Sequence, residues 1–236
     1  MDFNQHIELD SSKVFLDIEK IFQNNLKLSL LGNVQSLYQA ELKARAFAIV
    51  GQILREAPDL SPTHKEITAI FNELFTDLVI SIYLAGCSLD KPAQSLLRRV
   101  LELGIAVVYL WDSPHQFWGW KCHDKDLNFN EMIECLDSES YKLFVLSENT
   151  NFLANSLFNI TETRKIYRKL SNIIHGKIST FETLVPERFS YNKSDWEEHL
   201  NLVLQVENIL IELFKNRFNN LSLELEKKLP AISRLL

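Results

Sequence analysis

Glycine and proline are scarce in this chain, six of each among 236 residues, which leaves few of the breaks that turn-rich β-architectures need. No glycine-rich phosphate loop and no GxSxG elbow occurs, so nothing indicates an ATPase, a dinucleotide-binding enzyme or a serine hydrolase. Cysteine is limited to Cys87, Cys122 and Cys135; an odd number without CxxC spacing argues against a disulfide framework and suits a reducing compartment. The longest apolar runs, Leu78 to Cys87 and Leu103 to Trp111, are interrupted or about ten residues long, where a bilayer span needs roughly 20. The opening Met-Asp-Phe-Asn-Gln-His has neither the basic start nor the apolar stretch of a secretory leader. The expectation is a cytoplasmic protein with no membrane segment. Internal repeats and low-complexity tracts are absent as well.

What is present has helical periodicity. Hydrophobic residues make up 46% of the chain and charged residues 24%, the balance of a globular protein, and Leu, Phe, Ile, Glu and Lys recur at helical intervals. The sequence predicts an all-α helical bundle with a long C-terminal helix. One domain over 1–236 is expected, with N-terminal helices over about 1–60 and the main bundle over 61–236. The net charge of −6 argues against a broad, nonspecific nucleic-acid surface.

Taken in order, Phe15, Ile18, Ile21, Phe22 and Leu26 mark a helix over about 12–30, stopped at Gly32-Asn33, and Leu37, Leu42, Ala46, Ile49 and Ile53 mark a second over 34–57. Pro62 and the capping box Thr63 to Glu66 open a third helix that should run to Gly86. The fourth opens at Asp90 and reaches Trp111; from Leu103 on it is apolar on every side, which places it at the centre of the bundle. Gly104 within it would let another helix approach closely. Residues 114–128 read as irregular and aromatic, followed by short helices over 128–136, 140–146 and 151–158. A capping box at Ser194 to Glu197 starts the final helix, whose apolar stripe continues toward Leu229.

The segment Thr161-Glu-Thr-Arg-Lys-Ile-Tyr-Arg-Lys-Leu-Ser-Asn-Ile-Ile-His175 reads as one helix, with Thr161 as N-cap and Gly176 as its stop. Ile166, Leu170, Ile173 and Ile174 form an apolar stripe with Tyr167 at its margin. Arg168, Ser171, Asn172 and His175 stand at i, i+3, i+4 and i+7, a second narrow stripe along roughly 10 Å of helix. Such a row can hold a phosphate and move a proton, because a guanidinium grips phosphate oxygens in pairs and imidazole titrates near neutral pH. From Glu162 to Lys177 there are five basic residues and one acid, a local +4, so the remainder of the chain carries −10. A phosphate site would be a local patch whose binding weakens steeply with salt. The plainer reading is a basic face that is merely solvated.

The phrase Tyr-Arg-Lys-Leu-Ser-Asn-Ile-Ile-His-Gly, with six residues between Arg168 and His175 and set late in an all-helical chain, resembles the HEPN superfamily, whose motif is an Arg, four to six residues, then a His. The resemblance implies a helical bundle and a metal-independent endoribonuclease that uses no cofactor. It implies RNA as substrate and a homodimer in which two motifs face one composite site. It also implies a toxin or effector of a toxin-antitoxin or anti-phage defence system, with an antitoxin or another defence protein as partner. On this reading Arg168 and His175 are catalytic and Glu102, an acid on an earlier helix, orients His175. Ser171 and Asn172 then orient substrate, with Arg98, Arg99 and Lys169 beside them. The position after the Arg is commonly Asn or Asp in the family and is Lys169 here. That departure and the acidic balance support the alternative, a noncatalytic HEPN-like module that binds a partner protein or nucleic acid in a defence complex. A helical scaffold without a site is a third reading.

Arg98, Arg99 and Glu102 lie three and four residues apart on the helix expected to be most buried, where charges need partners. Either an Arg pairs with Glu102 or ties the bundle to a neighbouring helix, or the cluster lines the same cavity as the Arg168 stripe. His115, Cys122, His123 and Cys135 fit no standard zinc spacing, so no metal is expected there. The surrounding Phe117, Trp118, Trp120 and Phe129 should cap the bundle.

Overall fold

Helix α5 (Asp90–Asp112) is the element around which the others pack. The computed structural model describes residues 11–149, 156–174 and 189–234, and among these every regular element is helical. Before α5 come α1 (Ser11–Gly32), α2 (Val34–Arg55), α3 (Pro62–Ile67) and α4 (Ile70–Gly86). After it come α6 (Pro114–Lys121), α7 (Phe129–Asp137), α8 (Glu139–Glu148), α9 (Ile160–Ile174), the 25-residue α10 (Lys193–Arg217) and α11 (Leu221–Lys228), with a 3-10 turn at Pro230–Arg234.

The all-round apolar half of α5 explains its place. Leu101, Ile105, Ala106, Val107 and Val108 have no exposed surface, and each large one contributes about 1.5–3 kcal/mol by leaving water. α4, α9, α10 and α7 cover its sides. Gly104 sits under the Leu210 side chain, where any Cβ would collide, so the glycine sets how closely α10 approaches. Phe47 of α2 and Phe71 of α4 meet Phe214 of α10 edge-on at 5.7 and 5.1 Å, which closes the core from the far side.

Two buried ionic groups differ in how they are satisfied. At one end, Arg217 donates to both oxygens of Asp112, with Nε to Oδ2 at 2.7 Å. The Tyr141 hydroxyl donates to the same Oδ2 at 2.6 Å, so the ends of α5 and α10 are tied to α8. Burial and the Asp112 charge push the Tyr141 hydroxyl far above its usual range, which keeps it a donor. In mid-bundle, Glu207 of α10 is fully buried and neither carboxyl oxygen has a hydrogen-bond partner among the described residues. Burial raises its pKa well above the carboxylate range against the pull of Lys43. Burial likewise lowers Lys43, whose ammonium donates to Asn208 at 2.6 Å.

Several boundaries depart from the sequence expectation for local reasons. The single helix expected over 62–86 breaks at Thr68 and Ala69. The Thr68 hydroxyl donates to the Lys65 carbonyl and accepts from Arg55, side-chain bonds that bend the turn. Pro62 takes the first helical position of α3 as expected, and the cap is Ser61, which accepts from the His64 amide at 3.2 Å, not Thr63 of the expected capping box. Asn192, not Ser194, caps α10. The final helix does not run through to Leu229, because Asn220 adopts a left-handed conformation (φ 58°) between α10 and α11. Pro114 starts a helix where irregular chain was expected. Of the short helix expected over 151–158, residues 156–158 form bends and 151–155 lie outside the described residues.

The run at Leu78 to Cys87 belongs to a longer apolar stretch. Pro62–Gly86, counted as one helix, is long and apolar enough to cross a membrane by length and composition, with mean hydropathy 1.5 over an 18-residue window of it. Here Phe71, Leu74 and Leu78 of that stretch are fully buried in the shared core.

Candidate functional site

α9 starts where a side chain can cap it. The Asn159 amide oxygen accepts from the Glu162 amide at 3.0 Å, so the cap is Asn159 and not the predicted Thr161, which stands one residue inside the helix. Thr163, fully buried, donates back to the Asn159 carbonyl at 2.7 Å. Ile166 and Leu170 enter the core as the apolar stripe requires, and α9 packs on α5 and α10.

Tyr167, at the margin of that stripe, sets the rotation of the helix. Its ring stacks on Phe129 of α7 at 3.6 Å and nearly parallel, with the Arg98 guanidinium carbon 5.0 Å from its centroid. Its hydroxyl donates to Glu102 at 3.0 Å and accepts from Arg98 at 2.9 Å, while Arg98 also donates to Glu102 at 2.9 Å. The three polar groups therefore close a triangle between α5 and α9. Burial opposes the Arg98 charge, but Tyr167 and Glu102 outweigh it and raise its pKa further.

With Tyr167 turned inward, the next face of α9 points outward. Thr161, Arg164, Lys165, Arg168, Lys169 and Asn172 line an open depression of about 540 Å³. Their spacing of three and four residues puts them on one stripe. The stripe runs between α7 and α10: Arg164 donates to Asn130 of α7 at 3.3 Å, and Lys169 pairs with Glu198 of α10. Lys165 reaches Glu162 only at 3.5 Å. Arg168 is exposed and has no hydrogen-bond or ion-pair partner among the described residues. A guanidinium with no partner among the described residues, beside three further cations, is a fit for a phosphate.

The residues singled out in the sequence separate into groups. Arg168, Lys169 and Asn172 share the depression. Ser171 stands beside them on the helix, but its hydroxyl donates to the Tyr167 carbonyl at 2.7 Å and is occupied by its own helix. Arg98 and Glu102 pair with each other, as one account held, and reach α9 through Tyr167. Arg99 goes elsewhere: it binds Asp77 and, at 3.2 Å, Glu73 on α4. Burial raises the Asp77 pKa against the opposing pull of Arg99. His175 lies outside the described residues, as do Gly176 and Lys177.

Sequence reading passed over Asn159 and Glu198, placed Tyr167 only at the margin of the apolar stripe and Phe129 only among the capping aromatics, and gave neither a part in the site. The signal for Tyr167 was its position between the apolar and polar stripes, where a ring with a hydroxyl serves both. Nothing local marks Phe129 or Glu198, which sit on other helices. In the aromatic region Phe117 is buried, Trp118 exposed, and His123 left-handed with φ 61°. Among the described residues no three of His, Cys, Asp and Glu gather in a metal-holding group. Compared with protein-family models, curated proteins and solved structures, the chain matches none.

Proposed function

We propose that this chain is a metal-independent endoribonuclease of the HEPN type, with the basic face of α9 as its RNA-phosphate site. The observation that carries the reading is the exposed Arg168, without a partner among the described residues, in a depression with Arg164, Lys165 and Lys169, on a chain whose net charge is −6. His175 withdraws the proton of an RNA 2′-hydroxyl or delivers one to the departing 5′-oxygen. Attack of the 2′-oxygen on the adjacent phosphorus breaks the bond to that 5′-oxygen, and Arg168 stabilises the charge on the phosphoryl oxygens meanwhile. Asn172, in the same depression, orients the phosphate. Glu102, bridged by Arg98 and Tyr167, serves as a positioning residue that fixes the rotation of α9, and no metal or cofactor is required. The biological setting that goes with this resemblance is a toxin or effector in toxin-antitoxin or anti-phage defence, in the cytoplasm.

The test is cleavage of a mixed RNA pool in EDTA. Loss of cleavage in both His175→Ala and Arg168→Ala, each with unchanged melting temperature, supports the reading. Full activity in both variants overturns it. A second reading, a noncatalytic HEPN-like module that binds nucleic acid or a partner protein, is favoured by one feature: Lys169 is already neutralised by Glu198 and the Ser171 hydroxyl by its own backbone. Wild-type protein that binds RNA in a salt-sensitive, Arg168-dependent way yet leaves it uncut selects that reading.

A further inference from the structure

The four cations of the α9 depression are not held alike. Arg164 donates to a neutral amide, Asn130 of α7, at 3.3 Å, and Lys165 reaches Glu162 of its own helix at 3.5 Å. Arg168 meets no partner among the described residues. Lys169 is bound across the gap between two helices, by the carboxylate of Glu198 near the start of α10. The two side chains of that pair are 46% and 56% exposed, so water can replace either partner at little cost.

A carboxylate and a phosphate offer an ammonium the same thing, an anionic oxygen at hydrogen-bond distance. Glu198 therefore occupies the side of Lys169 that a phosphate would need. The spacing of the cations decides which phosphates can take it. Arg164 and Arg168 are four residues apart, as are Lys165 and Lys169, which is about 6 Å along the helix. A nucleotide chain carries one negative charge per residue, so a strand lying along α9 can set one phosphate on Arg168 and the next beside Lys169. A single phosphate ion on Arg168 leaves Lys169 to Glu198.

We propose that Glu198 is a built-in competitor of this site, holding Lys169 in the ligand-free protein and giving way to a chain of phosphates. This rests on the reading of the α9 face as a nucleic-acid phosphate site, and it is independent of whether the bound strand is cut. Once Arg168 has taken one phosphate, its neighbour in the chain reaches Lys169 within the same complex, at an effective concentration that a second free ion lacks. Glu198 is then displaced into water, where half of its side chain already stands.

Fluorescence anisotropy of the full chain with 2′-O-methyl oligouridine tests this, because the probe keeps the row of phosphates and its blocked 2′-oxygen prevents the proposed cleavage. Glu198→Gln should bind the probe about two- to fivefold more tightly than wild type, the scale of an exposed ion pair. Glu197→Gln removes the same charge one residue away, where the carboxylate faces Lys193 at 3.7 Å, and should have less than half that effect. Lys169→Ala combined with Glu198→Gln leaves the net charge unchanged. That double variant should bind the probe at least twofold more weakly than wild type, while inorganic phosphate at fixed ionic strength competes equally well with both. A Glu198→Gln gain no larger than that of Glu197→Gln overturns the proposal. So does a double variant that binds as wild type does, or a probe that neither wild type nor Glu198→Gln binds. RNA cleavage without this coupling overturns the role of Glu198 alone, and the coupling without cleavage supports it while removing the nuclease reading.

Discussion

α9 and α1 both flank the bundle and both lean on the first turns of α10, through Glu198 and Trp196 respectively, yet they are built in opposite senses. α9 buries Ile166 and Leu170 and shows the solvent a row of cations. α1 buries Asn25 and Ser29 and shows the solvent Val14, Ile21, Leu28 and Leu31. A helix held by its apolar face can keep any charge outside, so its outer face is free to be chosen for a ligand. A helix held by a few directed hydrogen bonds can leave its apolar residues uncovered, as Val14, Ile21, Leu28 and Leu31 are here.

The largest break of this contrast concerns chemistry. His175→Ala should lower RNA cleavage by about 10²–10⁴-fold, and Arg168→Ala by about 10²–10³-fold, while Tm measured by calorimetry stays put, because Arg168 is exposed and holds no partner among the described residues.

The next contrasts one substitution at two sites. Leu170→Ala, in the core, should cost about 2–5 kcal/mol in urea unfolding. Leu31→Ala, 79% exposed, should stay within about 0.5 kcal/mol for the folded monomer.

A pH series probes the shared support. His199 of α10 is 1% exposed, shares a 3.1 Å hydrogen bond with Ser81, and its other ring nitrogen has no partner among the described residues. Burial lowers its pKa to about 4. Its folded pKa is below that of the unfolded chain, about 6.5, so the unfolded state binds the proton first. Stability is full above about pH 6.5 and falls as pH drops toward 4, by about 3 kcal/mol from this group. His199→Gln should flatten that part of the urea-midpoint profile.

The latch of α1 comes after that. Asn25→Ala leaves the Phe189 carbonyl without its donor and should cost about 1–3 kcal/mol, read as faster hydrogen exchange along α1. Smallest of all, Lys169→Ala removes an exposed ion pair with Glu198 and should change stability by less than about 1 kcal/mol, as urea unfolding would show.

The helices themselves were legible from local pattern. The all-apolar half of α5 announced the centre of the bundle, Gly104 announced a close neighbour, and Ile166, Leu170 and the cationic row of α9 separated cleanly by face. The breaks were less so. Thr68 and Asn220 interrupt apolar periodicity that carries on past them, and Asn159 and Asn192 outcompete the caps one would choose from spacing alone, since several polar residues in a row offer the same oxygen.

What the residues determined by themselves is therefore the all-helical class and the placing of Arg168, Ser171 and Asn172 along one side of α9, because a fixed 100° turn per residue needs no tertiary information. Only the packed molecule decided which way that side faces, through the Tyr167, Arg98 and Glu102 triangle. It alone sent Arg99 to α4 while its neighbour Arg98 went to α9, and it alone turned the apolar residues of α1 outward. Those outcomes depend on partners far apart in the chain, and an amphipathic pattern records that a helix has two faces without recording what meets each one.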